Sequence, residues 1–478
     1  MSLAFVSYWA EQDPTRLALV TSGVAFSYDE FAKKILSARD FFVSCGLERG
    51  RTAVLCVHDL AQDWILGMAL RALGANTIDV RSWETLVDVG ATDAAAFVVS
   101  QLDPRRPAFS PAPGAHVIEV PASVLLNPQR REASSETSAD FQGGHFLYTS
   151  GTTGKYKRIF LDGAKERLRA QRQCDLLGFR KTTVHNSIDF GLWTAVGFKR
   201  SAAVWLVGGA VVLDQRPQRH AEFFRHNVNA ATLTPTLIDA VADAHAELFG
   251  PSNRVRLAVG GGFISKRHVQ VLSDRFTRDV RIWYSSTEVE GILELDMRHN
   301  RDVDWLTSVP GRTVEVVNAS GARARPGETG ELRVRLIDTD ASEYLDDAET
   351  SARFFRNECF YTGDLAIKRA DGRIRVLGRY EDVLNIDGDK VAVAPIEADL
   401  QLQLKVKAVC IFSNVGAQGT ELVIALEAAE RPSEEDQRRI ARTFASFKRV
   451  RFEVLAQFPR SEGGFQKIQR AKLREMVV

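Results

Sequence analysis

The segment Tyr148-Thr-Ser-Gly-Thr-Thr-Gly-Lys-Tyr-Lys157 decides how the chain is read. Four Ser or Thr, two Gly and two Lys fall within ten positions, directly after the apolar pair Phe146-Leu147. Glycine lets a backbone wrap closely round a bulky anion, hydroxyls and amides donate hydrogen bonds, and lysine supplies charge. Those are the requirements of a loop that grips a triphosphate. A Walker A loop sets four residues between its glycines, whereas two separate Gly151 from Gly154. Taken alone, the segment could also be a solvated hairpin rich in Gly, Ser and Thr.

Upstream of it, helical and extended patterns alternate. Tyr28 to Cys45 carries Phe31, Ile35, Leu36, Phe41 and Phe42 at helical spacing, with Gly46 as the stop. Thr52–Val57 reads as a buried strand, Asp59–Leu73 as a helix and Ala95–Ser100 as a second strand. Such alternation implies a parallel sheet covered by helices on both faces. Gln101 to Asp140, richer in Pro, Ser and Thr, reads as a surface excursion. Downstream, from Gly311, short strands (Thr313–Val317, Gly330–Leu336, Arg373–Leu377) are punctuated by the turns Arg325-Pro-Gly327 and Asp371-Gly372. After Gly378-Arg379 the pattern is α+β: strands Ala408–Phe412 and Glu421–Leu426, and a helix from about Ser433 to Ser446.

The chain has 478 residues, 45% hydrophobic and 26% charged, which is the composition of a globular protein of two to four domains. Sixty-two Lys and Arg against 61 Asp and Glu leave +1, a balance that points away from nucleic acid or a membrane surface as partner. The longest nearly apolar run, Ser201 to Leu213, is short of the roughly 20 residues a spanning helix needs and is expected to be a core element. The first residues show no basic region followed by an apolar one. Five scattered cysteines without a CxxC pair fit reduced thiols in a cytoplasm.

Further segments follow the loop in order. Leu257-Ala-Val-Gly-Gly-Gly-Phe263 is an apolar run ending in a glycine turn, and Trp283-Tyr-Ser-Ser-Thr-Glu288 brings an aromatic face and a carboxylate together. Tyr361-Thr-Gly-Asp364 is followed fourteen residues on by Gly378-Arg379. The chain continues through Gly378-Arg-Tyr-Glu-Asp-Val-Leu-Asn-Ile-Asp-Gly388 to Pro459-Arg-Ser-Glu-Gly-Gly-Phe-Gln-Lys-Ile-Gln-Arg470. Each is weak alone. As an ordered set they resemble the motifs of the adenylate-forming superfamily, which includes acyl- and aryl-CoA synthetases and peptide-synthetase adenylation domains. The family's loop is roughly YTSGTTGxPKG; Tyr156 stands for its proline and Arg158 for its last glycine. Ser285 replaces a glycine, Glu381 stands where the hinge is usually Asp, and Gln466 replaces the glycine before the motif lysine, Lys467. That lysine lies eight residues after Pro459 rather than six.

The resemblance implies an α/β fold: a large N-terminal domain (1–378) of stacked mixed and parallel sheets with helices and a β-rich subdomain (about 311–378), then a small mobile α+β lid (379–478). It implies that Thr149, Ser150, Gly151, Thr152, Thr153, Gly154 and Lys157 hold the phosphates of ATP. Gly261, Gly262 and Phe263 approach adenine and the acyl group, and Tyr284, with Ser285 and Ser286, stacks on adenine. Thr287 meets the α-phosphate and Glu288 holds Mg²⁺, for which one or two carboxylates suffice. Asp364 accepts from the ribose diol, and Arg379 contacts ribose and phosphate. Glu381 is the hinge, Gly388 leaves room for the pantetheine arm of CoA, and Lys467 bridges carboxylate and α-phosphate. Asp189 and Trp193 lie where the family lines its acid pocket. Asp189 aligns either with a segment of acyl-CoA synthetases or with the Asp that binds an amino acid's ammonium, so the acceptor is CoA or the phosphopantetheine of a carrier protein. A homologue that binds nucleotide without turnover is the remaining alternative, opposed by the retention of Glu288, Asp364, Arg379 and Lys467.

Overall fold

The computed structural model describes residues 2–103, 113–126, 143–150, 156–186, 190–213, 226–248, 254–299, 302–386, 389–416, 419–460 and 468–477. The alternating segments near the N-terminus fold as their periodicity requires. Helix Tyr28–Ser44 starts at Ser27, whose hydroxyl accepts from the Glu30 amide while Glu30 reaches back, a reciprocal cap that fixes the start. Helix Leu60–Ala72 is capped by Asp59. Among the described residues, one sheet runs in the order 116–120, 96–100, 52–55, 76–79, 145–150, 156–161, parallel except for the last pair. Its last two strands flank the segment quoted first.

His116–Val120 corrects one expectation. It lies inside the stretch read as surface excursion, yet it pairs in parallel with Ala96–Ser100 and buries Ile118 and Val120. Its burial is one-sided and short, too weak a signal to stand out from the surrounding Pro and Ser.

A second sheet runs from Thr307–Ser308 through Glu290–Asp296, Val280–Ser286, Arg256–Gly260, Ala230–Leu233, Val184–Asn186, Ala210–Val212 and Leu17–Thr21 to Val24–Ser27. Its centre is parallel and its edges antiparallel. The apolar run Ser201–Leu213 proves to be two elements: the end of helix Ala195–Leu206 and the strand Ala210–Val212. Gly208 breaks it, with φ +77° and a side-chain position that Trp9 already fills. Helices pack between the sheets on an aromatic core. Trp64 stacks on Phe198 at 5.5 Å and meets Trp205 edge-on at 4.8 Å, joining helix 60–72 to helix 195–206.

The β-rich region is an antiparallel sheet of Val314–Val317, Thr329–Arg335, Cys359–Lys368, Phe355–Arg356 and Ile374–Arg379. Beyond Arg379 the chain builds a separate core. Leu384, Val393, Leu400, Ile411, Leu422 and Ile424 pack together over a sheet of Ala408–Gly416, Gly419–Glu427 and Arg449–Leu455, against helices Val393–Leu404 and Glu434–Thr443. Arg470 ties this region's end to its start, donating to Asp382 at 3.0 Å, Glu397 at 2.8 Å and the Ile411 carbonyl at 2.8 Å. No helix among the described residues is long and apolar enough to cross a membrane.

Candidate active site

The hairpin of strands His145–Ser150 and Tyr156–Leu161 sets Thr149 opposite Lys157. Gly151, Thr152, Thr153 and Gly154 lie outside the described residues, as does the side chain of Ser150. The Lys157 ammonium sits 3.9 Å from the Phe354 ring centre and 4.9 Å from that of Tyr344. Burial lowers its pKa, opposed by Glu288. The hairpin's two departures from the family pattern have partners of their own. Tyr156 packs edge-on against Tyr148 at 5.3 Å. Arg158 donates to the Gly90 carbonyl at 2.8 Å and to Asp346, bracing the hairpin against two other loops.

Strands Val280–Ser286 and Glu290–Asp296 meet in a tight turn that carries Thr287 and Glu288. Arg169, on helix Gly163–Leu177, holds that turn from behind. Its guanidinium donates to the carbonyls of Thr339 at 2.7 Å, Thr287 at 3.1 Å and Glu288 at 2.9 Å. The buried Glu288 carboxylate accepts from the Tyr344 hydroxyl at 2.7 Å. Burial, with Glu288 alongside, raises the Tyr344 pKa, so the phenol stays a donor. Glu290 closes the turn at φ +59°, a strained conformation for a residue with a side chain, and its carboxyl group is wholly buried.

Asp364 lies next to Tyr284 and Arg379. Arg379 Nε is 3.1 Å from one carboxylate oxygen, the Tyr284 hydroxyl donates to the other, and Arg379 Nη1 donates to the Thr362 carbonyl at 2.6 Å. Thr149, Lys157, Tyr284, Glu288, Asp364 and Arg379 thus border one small cavity of about 60 Å³. It adjoins a larger one of about 220 Å³ whose wall includes Gly261, Thr287 and Trp193, with Thr149, Ser285, Glu288 and Arg379 shared. Ser286 borders both. The structure therefore brings together Thr149, Lys157, Gly261, Tyr284, Ser285, Ser286, Thr287, Glu288, Asp364, Arg379 and Trp193. Gly262 and the exposed Phe263 follow Gly261 but do not line either cavity. Asp189, Gly388, Lys467 and the side chain of Glu381 lie outside the described residues.

Sequence reasoning missed residues of the larger cavity. Gln173, Lys199 and Arg200 line the larger cavity. The two cations sit on helix Ala195–Leu206, and both are buried. Burial, chiefly, holds the Lys199 ammonium down at about 8 and Arg200 down at about 10, with Glu290 pulling each the other way. The signal was available: two adjacent charges inside an otherwise apolar helical stretch are out of place unless they serve a cavity.

A family model for AMP-binding enzymes matches residues 6–337. The chain is 24% identical over 467 residues to pseudomonine synthase PmsE of Pseudomonas entomophila, covering 84% of this chain and 72% of that protein. It is 27% identical over 315 residues to bacitracin synthase 3 of Bacillus licheniformis, a match that spans 60% of this chain and only 5% of that protein. To a 4-hydroxybenzoate–CoA/benzoate–CoA ligase of Rhodopseudomonas palustris it is 26% identical over 376 residues, covering 75% and 68%. Among solved structures, the O-succinylbenzoate CoA synthetase of Bacillus subtilis in complex with ATP and magnesium superposes with a TM-score of 0.82 at 18% identity, covering 98% of this chain and 99% of that one. At this identity the superposition shows a shared fold.

Proposed function

From the premise that this chain belongs to the family of AMP-binding enzymes, we propose that it activates a small carboxylic acid with ATP and passes the acyl group to the thiol of CoA. The acid's carboxylate attacks the α-phosphorus and pyrophosphate leaves, giving an acyl-adenylate. The thiol then adds to the acyl carbon and AMP leaves. The observation that carries this reading is the pair of adjoining cavities. Thr287, Glu288 and Arg379 stand in one wall with Trp193 and Phe190, so an acid and a phosphate can meet beside the same turn. A volume of about 220 Å³ suits a short-chain or single-ring acid.

Each residue then has a role. Tyr284 offers adenine its ring, and the Asp364–Arg379 pair presents a carboxylate and a guanidinium to ribose and phosphate. Lys157 and the loop after Thr149 take the outer phosphates, Thr287 the α-phosphate. Lys467 neutralises charge as the carboxylate attacks, a contribution of about 3 kcal/mol for a donor of this kind. Catalysis by such a site is alignment and charge neutralisation; no covalent enzyme intermediate is required. Among the described residues no three His, Cys, Asp or Glu side chains converge on a metal site, and Glu288 is the one carboxylate facing both cavities. That donor set fits Mg²⁺ bound mainly through the substrate's phosphates. Held by Glu288, the ion would supply Lewis-acid neutralisation of phosphate charge. We place the domain boundary at 378–382, with Glu381 as hinge, and infer that the C-terminal part turns between half-reactions so that Gly388 replaces Lys467.

ATP–pyrophosphate exchange with a panel of carboxylic acids tests the first step. AMP release on adding free CoA tests the second. A second reading, loading of a carrier protein, is supported by the likeness to bacitracin synthase 3. Exchange driven by an amino acid and abolished in Asp189→Ala, with AMP released only when a phosphopantetheinylated carrier is present, would overturn the CoA assignment.

A further inference from the structure

The wall of the larger cavity includes four donor side chains, Lys199, Arg200, Trp193 and Trp283, set among apolar residues such as Phe190, Val196 and Leu233. Resting on the acid activation proposed above, we propose that Lys199 and Arg200 receive a second carboxylate of the substrate, so that the acid activated is a small dicarboxylic acid.

Both side chains line the cavity at 6% and 5% exposure, on a helix that is otherwise apolar around them. Among the described residues, their one carboxylate neighbour is Glu290. It sits behind the wall rather than in it, 3.7 Å from Lys199 Nζ, and the same oxygen accepts from Gln173 Nε2 at 3.1 Å. Gln173 in turn accepts from Arg200 Nη1. Among the described residues, two buried cations therefore share one buried anion. Arg169 draws on Glu290 as well, together with Asp340 and Glu288, so Glu290 is not left to Lys199 and Arg200 alone. A buried charge without a counter-charge is strongly unfavourable, and the cavity is where the missing anion can enter.

The hydrogen-bonding pattern agrees. Arg200 Nε and the indole N–H groups of Trp193 and Trp283 are buried without an acceptor among the described residues, and all three residues line the cavity. The Arg200 guanidinium also lies 5.9 Å from the Trp283 ring centre. An ionised carboxylate accepts only, so it satisfies these donors; an ammonium group would be repelled by the two cations. The reacting carboxylate belongs beside Thr287 and Glu288, which leaves Lys199 and Arg200 for a second one. All four residues line the same cavity of about 220 Å³, a volume in keeping with a ring or short chain between the two carboxylates.

The test is pyrophosphate exchange with matched pairs: butanoate against butanedioate, and benzoate against benzene-1,3- and benzene-1,4-dicarboxylate. In the wild type at least one diacid should exceed its monoacid in kcat/KM by about a hundredfold or more, as expected when a buried charge gains or lacks its partner. Lys199→Met and Arg200→Met should each bring that ratio towards one, while Lys199→Arg keeps most of it. Circular dichroism of each variant separates this outcome from misfolding. Monoacids preferred by the wild type, or equal losses on both acids in Lys199→Met and Lys199→Arg, would overturn the assignment and leave acid activation standing. If no acid of either kind drives exchange, acid activation falls. Calorimetric titration with the diacids then decides the site: saturable binding lost in Lys199→Met upholds it, and no binding refutes it.

Discussion

Arg169→Lys tests how the turn of Thr287 and Glu288 is held. The side chain is buried at 2% exposure, and its planar guanidinium spans three carbonyls, those of Thr339, Thr287 and Glu288. Lysine keeps the charge but offers one point donor on a flexible stem, so it can serve one carbonyl and leaves two without their donor. Hydrogen bonds to a charged group contribute about 1.5–3 kcal/mol each. Taking the low end for the two lost, the variant should be destabilised by about 3 kcal/mol. Over a urea slope of about 3 kcal/mol per molar, the unfolding midpoint should drop by about 1 M. Two of the three carbonyls belong to Thr287 and Glu288, the residues assigned to the α-phosphate and Mg²⁺. If the turn moves by an equivalent amount of energy in the transition state, adenylation falls about a hundredfold. The assay is pyrophosphate exchange at saturating ATP and Mg²⁺, read beside the urea midpoint. A variant within 0.2 M of the wild-type midpoint and within about twofold in exchange would refute this account of the turn. A stability loss with unchanged exchange would show that Arg169 supports the fold without positioning the turn.

The remaining expectations concern the lid and the acid pocket. Lys467→Ala should depress adenylate formation by about a hundredfold or more while sparing thioester formation from supplied acyl-adenylate; equal losses in both would make the lysine structural. Glu381→Pro fixes φ at the hinge and should leave one half-reaction near normal and remove the other, as measured by single-turnover formation of adenylate and of thioester; both at wild-type rates would dismiss lid rotation. Lys199, held down at about 8 chiefly by burial, with Arg200 and Arg169 lowering and Glu290 raising it, is cationic below that pH and neutral above it. The diacid-over-monoacid ratio should therefore be largest near pH 7 and decline through pH 9, and Lys199→Arg should flatten the profile; a wild-type ratio constant across that range counts against the cation's role.

The parts that sequence made legible are those where a local rule coincides with a tertiary one. Helix Tyr28–Ser44 declares itself through apolar spacing and Gly46, and its observed limits follow those signals, with a capping box at Ser27 fixing the start. Tyr284, Asp364 and Arg379 come from three separate strands, and the sequence alone offers no reason for them to meet. Only the resemblance to a known ordered set of motifs grouped them, and the fold then brings them within hydrogen-bonding distance. Arg169 and Tyr344 escaped because they act through residues far along the chain: Arg169 on a turn 118 and 119 positions away, Tyr344 on Glu288 56 positions away. An arginine on an amphipathic helix reads as solvated until its partners are known. Lys199 and Arg200 were different. They interrupt an apolar pattern, and a stricter reading of that interruption would have asked what the charges face.

The acid and nucleotide sides of this site are joined through one short turn. Thr287 and Glu288 face the cavities, while Glu290, two residues on, turns its carboxylate behind the acid wall towards Lys199 and Gln173. Gln173 and Arg169 come from the same helix one turn apart, so that helix grips the turn from behind through Arg169 and, through Gln173, holds Glu290 at its far end. A substrate anion that settles on Lys199 and Arg200 therefore acts on a network continuous with the residues assigned to the phosphate and the metal. Binding energy from a part of the acid remote from the reacting carboxylate can then fix the turn that the chemistry uses, and such energy raises kcat as well as lowering KM. On this argument a monoacid should lose turnover and not merely affinity. The same logic explains why a costly buried pair of cations is kept beside a cavity where apolar residues would pack more stably.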